Sequence, residues 1–184
     1  EVALGDGRTV QIQFIPILTP HGDQLGRLWL AKDVTERRRH EQTLERLAST
    51  DTLTGLANRR AFMERLEPEC ARQASGGPGG MVLMLDLDHF KRVNDTWGHA
   101  TGDVVLVHLA RMLKGNLLRS HDLAGRLGGE EFAVLLPGTT AQEATAIGER
   151  LRRALEQSHI RAGDGTSFQV TMSIGVAPLQ GDAH

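Results

Sequence analysis

The chain has 184 residues, is 40% hydrophobic and carries a formal net charge of −2, enough apolar content for one good core with appendages rather than two complete domains. Lysine and arginine nearly balance the acids, which argues against nucleic-acid wrapping and against an anionic membrane surface, and the single cysteine, Cys70, excludes an internal disulfide. No apolar run approaches the ~18 residues of a spanning helix and no signal peptide is read, so a soluble, cytoplasmic segment is predicted, any membrane attachment of a full-length protein lying outside it.

Residues 8–18 and 25–34 are apolar-rich runs joined across a His-Gly-Asp turn, a hairpin pattern too small to fold alone. The hairpin closes on Asp33-Val34-Thr35. From Glu36 to about Ser49 the chain is charged, free of Gly and Pro, and sets Leu44 and Leu47 at helical spacing, which predicts a linker helix. The Asp-x-Thr closure resembles the end of a PAS sensor domain, which implies that 1–35 is the C-terminal fragment of such a domain and 36–50 a signalling helix. In sensor–output chains such a helix pairs two subunits in parallel; the residues by themselves fit an exposed charged helix as well.

A helix is predicted over 58–74 on the pattern Phe62, Leu66 and Cys70, with a kink or early end at Pro68. Ser-Gly-Gly-Pro-Gly-Gly at 75–80 reads as a flexible loop. The run Met81 to Leu85 then reads as a buried strand over 81–86 that exits in Asp86-Leu87-Asp88. A carboxylate at such an exit needs a partner, a hydrogen bond or a cation, although Asp86 or Asp88 could instead cap the segment beginning near His89. Helical periodicity continues to about 118, with Val105, Leu109 and Met112 on one face.

Asp122–Leu127 and Glu130–Leu136 read as antiparallel strands joined by Gly128-Gly129, with alternation sending Glu130 and Glu131 to opposite faces. If this hairpin lies beside the 81–86 strand, Asp86 and a hairpin glutamate could hold a hard cation such as Mg2+. Thr140 with Glu143 makes a capping box before a helix over 141–157, and a last strand is predicted over 168–177. The eight histidines are scattered without a metal-binding spacing, which argues against zinc. The order is β-α-β-β-α-β, an α+β, ferredoxin-like or palm-type arrangement.

Several ordered motifs resemble the GGDEF family, the diguanylate cyclases, across residues 51 to about 177. They are Asp51-Thr52-Leu53-Thr54-Gly55-Leu56-Ala57-Asn58-Arg59-Arg60, Asp-Leu-Asp-His-Phe-Lys from Asp86, Asn94-Asp95, Gly98-His99, Gly102-Asp103 and the Gly-Gly-Glu-Glu-Phe hairpin. The resemblance implies a homodimer that condenses two GTP into cyclic di-GMP and two pyrophosphates. Matched motif to motif, Asp86, the Leu87 carbonyl and Glu130 would hold Mg2+ or Mn2+, and Glu130 and Glu131 are candidates for taking the hydroxyl proton. Lys91 would meet phosphate, Asn94 and Asp103 would read guanine, and His99 would lie beside ribose or phosphates. Asp103 could also cap a helix from Val104. Arg119 and Asp122 fit the family's product-inhibition motif, to which Arg150 could add a contact from a neighbouring subunit, although Arg150 reads more readily as a plain surface arginine.

The alternative is a catalytically silent receptor for cyclic di-GMP or GTP. The family usually continues past the 168–177 strand with a segment like Ala-Asp-x-Ala-Leu-Tyr-x-Ala-Lys-x-x-Gly, whose lysine would add a phosphate contact and whose helix would cover part of the sheet. That segment is not in this sequence, so 51–184 is expected to be a C-terminally incomplete GGDEF domain.

Overall fold

The computed structural model describes residues 2–18, 20–115 and 118–180, apart from the side chains of Ala3, Leu25, Glu41, Gln42, Leu44 and Arg46. The chain divides into two compact units, Glu1–Leu47 and Ala48–His184. Among the described residues no helix is long and apolar enough to cross a membrane.

In the first unit β1 (Val2–Ala3), β2 (Thr9–Leu18) and β3 (Gln24–Asp33) form an antiparallel sheet in that order. The predicted hairpin is present, with β1 added along its edge; two residues are too few for alternation to mark a strand. Phe14 stands opposite Trp29, ring centroids 5.8 Å apart, while Ile15 stands opposite Leu28 on the other face. Helix α1 (Thr35–Ser49) follows. Asp33 accepts from the Thr35 amide at 2.9 Å and its hydroxyl at 2.6 Å, and Thr35 Oγ1 accepts from the Thr9 N–H at 2.9 Å. The Asp-x-Thr step therefore ties the first helical turn to the hairpin edge. The Thr35 hydrogen bonds hold the Asp33 carboxyl below its usual range. Of the two leucines at helical spacing, Leu47 is exposed; the side chain of Leu44 lies outside the described residues.

The second unit holds a five-stranded sheet of β4 (Ala57–Asn58), β5 (Gly80–Leu87), β6 (Leu123–Gly128), β7 (Glu131–Pro137) and β10 (Met172–Pro178), ordered β10-β5-β7-β6-β4. All neighbours are antiparallel except β4 and β6. Its helices are α2 (Arg59–Ala74), α3 (Phe90–Trp97), α4 (His99–Lys114) and α5 (Ala141–Gln157), and β8 (Ile160–Arg161) and β9 (Ser167–Phe168) form a separate ribbon. The predicted β-α-β-β-α-β order stands as β5, α3 with α4, β6, β7, α5 and β10, with β5 and β7 adjacent in the sheet.

Alternation along β5 sends Leu83, Leu85 and Leu87 into one core with Val105, Leu109 and Leu113 of α4 and Leu151 and Leu155 of α5. Each such leucine contributes about 1.5–3 kcal/mol by leaving water. On the opposite face Phe62 of α2 packs with Ala133, Leu135 and Leu179. Covered on both sides, β7 is buried continuously from Phe132 to Leu136.

Four expectations need correction. The helical stretch to about 118 is two helices, because Gly98 at φ 79° breaks the ladder between α3 and α4, and α4 ends at Lys114; residues 116–117 lie outside those described. The strand over 168–177 is split into β9 and β10. Pro68 does not end α2, which continues to Ala74; Pro68 is solvent-facing while Phe62 and the Asn58 cap anchor the helix. The Thr140–Glu143 capping box forms as predicted, but Asp103 caps nothing, since α4 begins a turn earlier at His99.

Candidate active site

The sheet brings three acids to the end of β5. Asp86 pairs across the ladder with Glu131, and Glu130 lies in the β6–β7 loop beside it. The loop is not Gly128-Gly129 as predicted. The ladder shifts between Arg126 and Gly128 so that Gly128 pairs with Glu131, and Gly129 and Glu130 become the two loop residues. Gly129 takes φ 45°, which a glycine adopts without a Cβ penalty. Glu130 and Glu131 therefore differ as loop and strand residues rather than as two faces of one strand.

Burial, then the charges of Glu130, Glu131 and Asp88, push the Asp86 carboxyl above its ordinary value. Asp88 moves the other way, because the hydroxyls of Thr171 and Ser173 donate to it at 2.6 and 2.7 Å. Neither aspartate caps α3. That position belongs to His89 at φ 57°, the one non-glycine with positive φ among the described residues.

Among the described residues no three His, Cys, Asp or Glu side chains gather closely enough to hold a metal by themselves. The predicted set of Asp86, Glu130 and the Leu87 carbonyl consists of two carboxylates and a backbone oxygen. Those are hard donors, and a divalent cation relieves the like-charge crowding that, after burial, raises Asp86. The donor chemistry fits such a cation with its remaining positions filled by ligand or water oxygens.

Next to the acids stands the α3–α4 pair, anchored in the core by Phe90 and Val93. Lys91 is exposed in the first turn of α3, and Asn94 is half-buried one turn on. The Asn94 amide lies directly over Gly102, where a Cβ would stand 2.0 Å from Oδ1, so only glycine admits it. His99 and Asp103 are exposed and four apart on α4, hence on one face. Asp103 follows Gly102, the residue on which Asn94 rests, so both lie at the α3–α4 crossing.

Arg119 and Asp122 form a closed turn apart from the acids. The Arg119 N–H donates to Asp122 Oδ2 at 2.7 Å and the Asp122 N–H donates to the Arg119 carbonyl at 3.1 Å. The Asp122 side chain is 1% exposed, its Oδ1 has no hydrogen-bond partner among the described residues, and His121 Nε2 lies 3.8 Å from it. The Arg119 guanidinium reaches Glu143 on α5 at 3.7 Å, and Arg150 is exposed about two turns further along that helix.

Two residues given no role by the sequence reading complete the region. Asp51 Oδ1 accepts from the Thr54 amide and hydroxyl at 2.8 and 2.6 Å and from Arg126 Nη1 at 3.2 Å, while Arg126 Nε donates to the Gly129 carbonyl at 2.9 Å. Burial works to raise the Asp51 pKa, but the Thr54 bonds and Arg126 together outweigh it and lower it. The available signal was the Asp-x-x-Thr spacing, which marks a side-chain-closed turn.

A family model described as "Diguanylate cyclase, GGDEF domain" matches residues 48–184. Diguanylate cyclase DgcP of Pseudomonas aeruginosa is 42% identical over 145 residues, 78% of this chain and 21% of that protein. Diguanylate cyclase DgcM of Escherichia coli is 38% identical over 180 residues, 97% of this chain and 42% of that protein. The chain therefore spans less than half the length of either relative. Among solved structures, the coiled coil and GGDEF domain of DgcB from Caulobacter crescentus in complex with c-di-GMP superposes with a TM-score of 0.74 at 35% identity, covering 79% of this chain and 76% of that one.

Proposed function

The chain belongs to the GGDEF-domain family of diguanylate cyclases, and on that premise we propose that it joins two GTP molecules into cyclic di-GMP with release of two pyrophosphates. In each of the two transfers a ribose 3′-oxygen bonds to the α-phosphorus of the other nucleotide. The bond from that phosphorus to the bridging oxygen of the pyrophosphate breaks, and the hydroxyl proton passes to a carboxylate. One GTP is held by each copy of a homodimer.

The observation that carries this reading is the meeting of Asp86, Glu130 and Glu131 at one end of the sheet. A divalent ion, Mg2+ or Mn2+, held by Asp86, Glu130 and the Leu87 carbonyl would neutralise charge on the phosphoryl group. Glu130 or Glu131 accepts the 3′-hydroxyl proton. Lys91 presents a point charge to the phosphates, and His99 sits by the ribose or phosphates. Asn94 and Asp103 read the base, since a carboxylate accepts from both the ring N–H and the exocyclic amine of guanine, a donor pair that adenine does not offer. Arg119 and Asp122, with Arg150, hold cyclic di-GMP as a feedback inhibitor. Residues 1–35 are the end of a PAS sensor, 36–50 its signalling helix and 51–184 the catalytic domain of a cytoplasmic signalling protein.

The test is incubation of purified protein, stripped of bound cyclic di-GMP, with GTP and Mg2+, the products being separated by chromatography. Cyclic di-GMP and two equivalents of pyrophosphate are expected. E130Q should lose at least about 100-fold in turnover, the scale of one missing proton acceptor or charge-bearing ligand, while still binding nucleotide. Cyclic di-GMP binding without any product from stripped, dimeric wild-type protein would establish the silent receptor instead.

A further inference from the structure

Beside the Arg119–Asp122 turn lies a cavity of about 430 Å3, walled by Gly55, Leu56, Lys114, Gly115, Arg119 and Asp122 among others. Two of these residues are cations, and the one acid has one oxygen on the Arg119 N–H and the other without a partner among the described residues. The cavity suits a ligand that brings phosphate to the cations and an N–H donor to the acid, as the proposed product does.

Lys114 does more than line it. Its Nζ donates to the Thr54 carbonyl at 3.0 Å, and it passes so close to Gly55 that a Cβ there would stand 2.8 Å from the ammonium. From Thr54 the bonding runs on without a gap. The Thr54 amide and hydroxyl hold Asp51, Asp51 holds Arg126, and Arg126 holds the carbonyl of Gly129, the residue before Glu130 in the loop.

We propose that Lys114 is the positioning residue through which this cavity governs the placement of Glu130. The inference rests on the reading of Glu130 as metal ligand or base given above. An ammonium bonded to a neutral carbonyl gains by moving to a phosphate, because the anion adds a charge–charge attraction that the carbonyl does not offer. An anion in the cavity therefore draws Lys114 off Thr54, the Asp51 clamp on Arg126 slackens, and the Gly129–Glu130 loop loosens. The two arrangements of one lysine, on the carbonyl or on the anion, are the two states that the ligand biases.

Amide hydrogen exchange on the full chain, read by mass spectrometry with cyclic di-GMP as the probe, tests this in wild type, K114M and K114R. In ligand-free K114M, peptides covering 126–132 should exchange roughly fivefold faster than in wild type, the population change that one modest hydrogen bond sets, with β5 and α5 peptides unchanged. K114R should restore the wild-type rate. Saturating cyclic di-GMP should protect 119–122 in both wild type and K114M but accelerate 126–132 in wild type alone. Equal hairpin exchange in ligand-free K114M and wild type overturns the relay. So does a wild-type ligand response in K114M, or acceleration spread evenly over β5 and α5, which marks general destabilisation. Lack of protection at 119–122 in wild type sinks only the product-site reading, because the ligand-free comparison still decides the relay.

Discussion

Burial, and then the charges of Glu130, Glu131 and Asp88, make Asp86 hold its proton more tightly than a free aspartate does. A carboxyl raised in the folded state contributes stability that is fully present below its unfolded pKa and is lost as pH rises through the folded value. At neutral pH the native sheet thus carries the cost of burying this charge beside like charges. D86N, which keeps the shape and removes the charge, should raise the thermal midpoint of the metal-free protein at pH 7 by about 2 °C or less, a figure discounted for the water around an exposed carboxylate. The same variant should lose cyclic di-GMP formation. Mg2+ should raise the midpoint of wild type and leave that of D86N where it was. Calorimetry with and without Mg2+ decides this. A metal-free D86N that melts below wild type at pH 7 would show that Asp86 is held by something other than like charges.

The β6–β7 hairpin is the element on which the proposed chemistry depends, and it is held by an ion pair from outside itself. The Arg126 and Asp51 side chains are 14% and 23% exposed, so removing the acid leaves a largely dehydrated guanidinium. D51N should cost about 1–3 kcal/mol at pH 7, measured by urea unfolding. Because the Asp51 pKa is lowered on folding, its contribution is present above the unfolded value and lost as pH falls through the folded one. Wild type should therefore approach D51N only at pH values below the ordinary 3.8. A constant difference down to that pH and beyond would mean that Asp51 acts through packing and not through charge. The pair spans 75 residues of sequence, which is why no local pattern announced it. Local chemistry was legible by contrast: the Thr140–Glu143 box and the apolar alternation of β5 each state their structure within a few residues. The one-residue displacement of the loop arises in the cross-strand ladder, and the break at Gly98 interrupts a helical periodicity that runs on at either side. Asp86, Asn94 and Asp103 were named from their motifs, but that Asn94 rests on Gly102 follows only from how α3 and α4 cross.

At the scale of the whole molecule the two units differ in what they bury. The second encloses a continuous core between the sheet, α4 and α5 and a smaller one beneath α2, whereas in the first Phe14 and Trp29 remain 57% and 63% exposed. A hairpin with a short edge strand cannot offset the entropy of its own ordering. Residues 48–184 made alone should consequently unfold in one cooperative thermal transition within about 3 °C of the corresponding transition of the full chain, and residues 1–47 alone should lack strand signal in far-ultraviolet circular dichroism. The separated second unit also bears on the proposed reaction. If each GTP is held by a different copy, product formation per chain must rise with protein concentration until the dimer saturates. With α1 (Thr35–Ser49) supplying the pairing, its removal leaves the fold intact and moves the concentration for half-maximal specific activity upward by at least about tenfold, the effect of losing a tether that keeps two modules at high local concentration. Specific activity measured across a dilution series of both proteins reads this directly. Equal curves would place the pairing surface within 48–184, and specific activity that stays flat down to concentrations at which the protein is monomeric would remove the two-copy site from the mechanism.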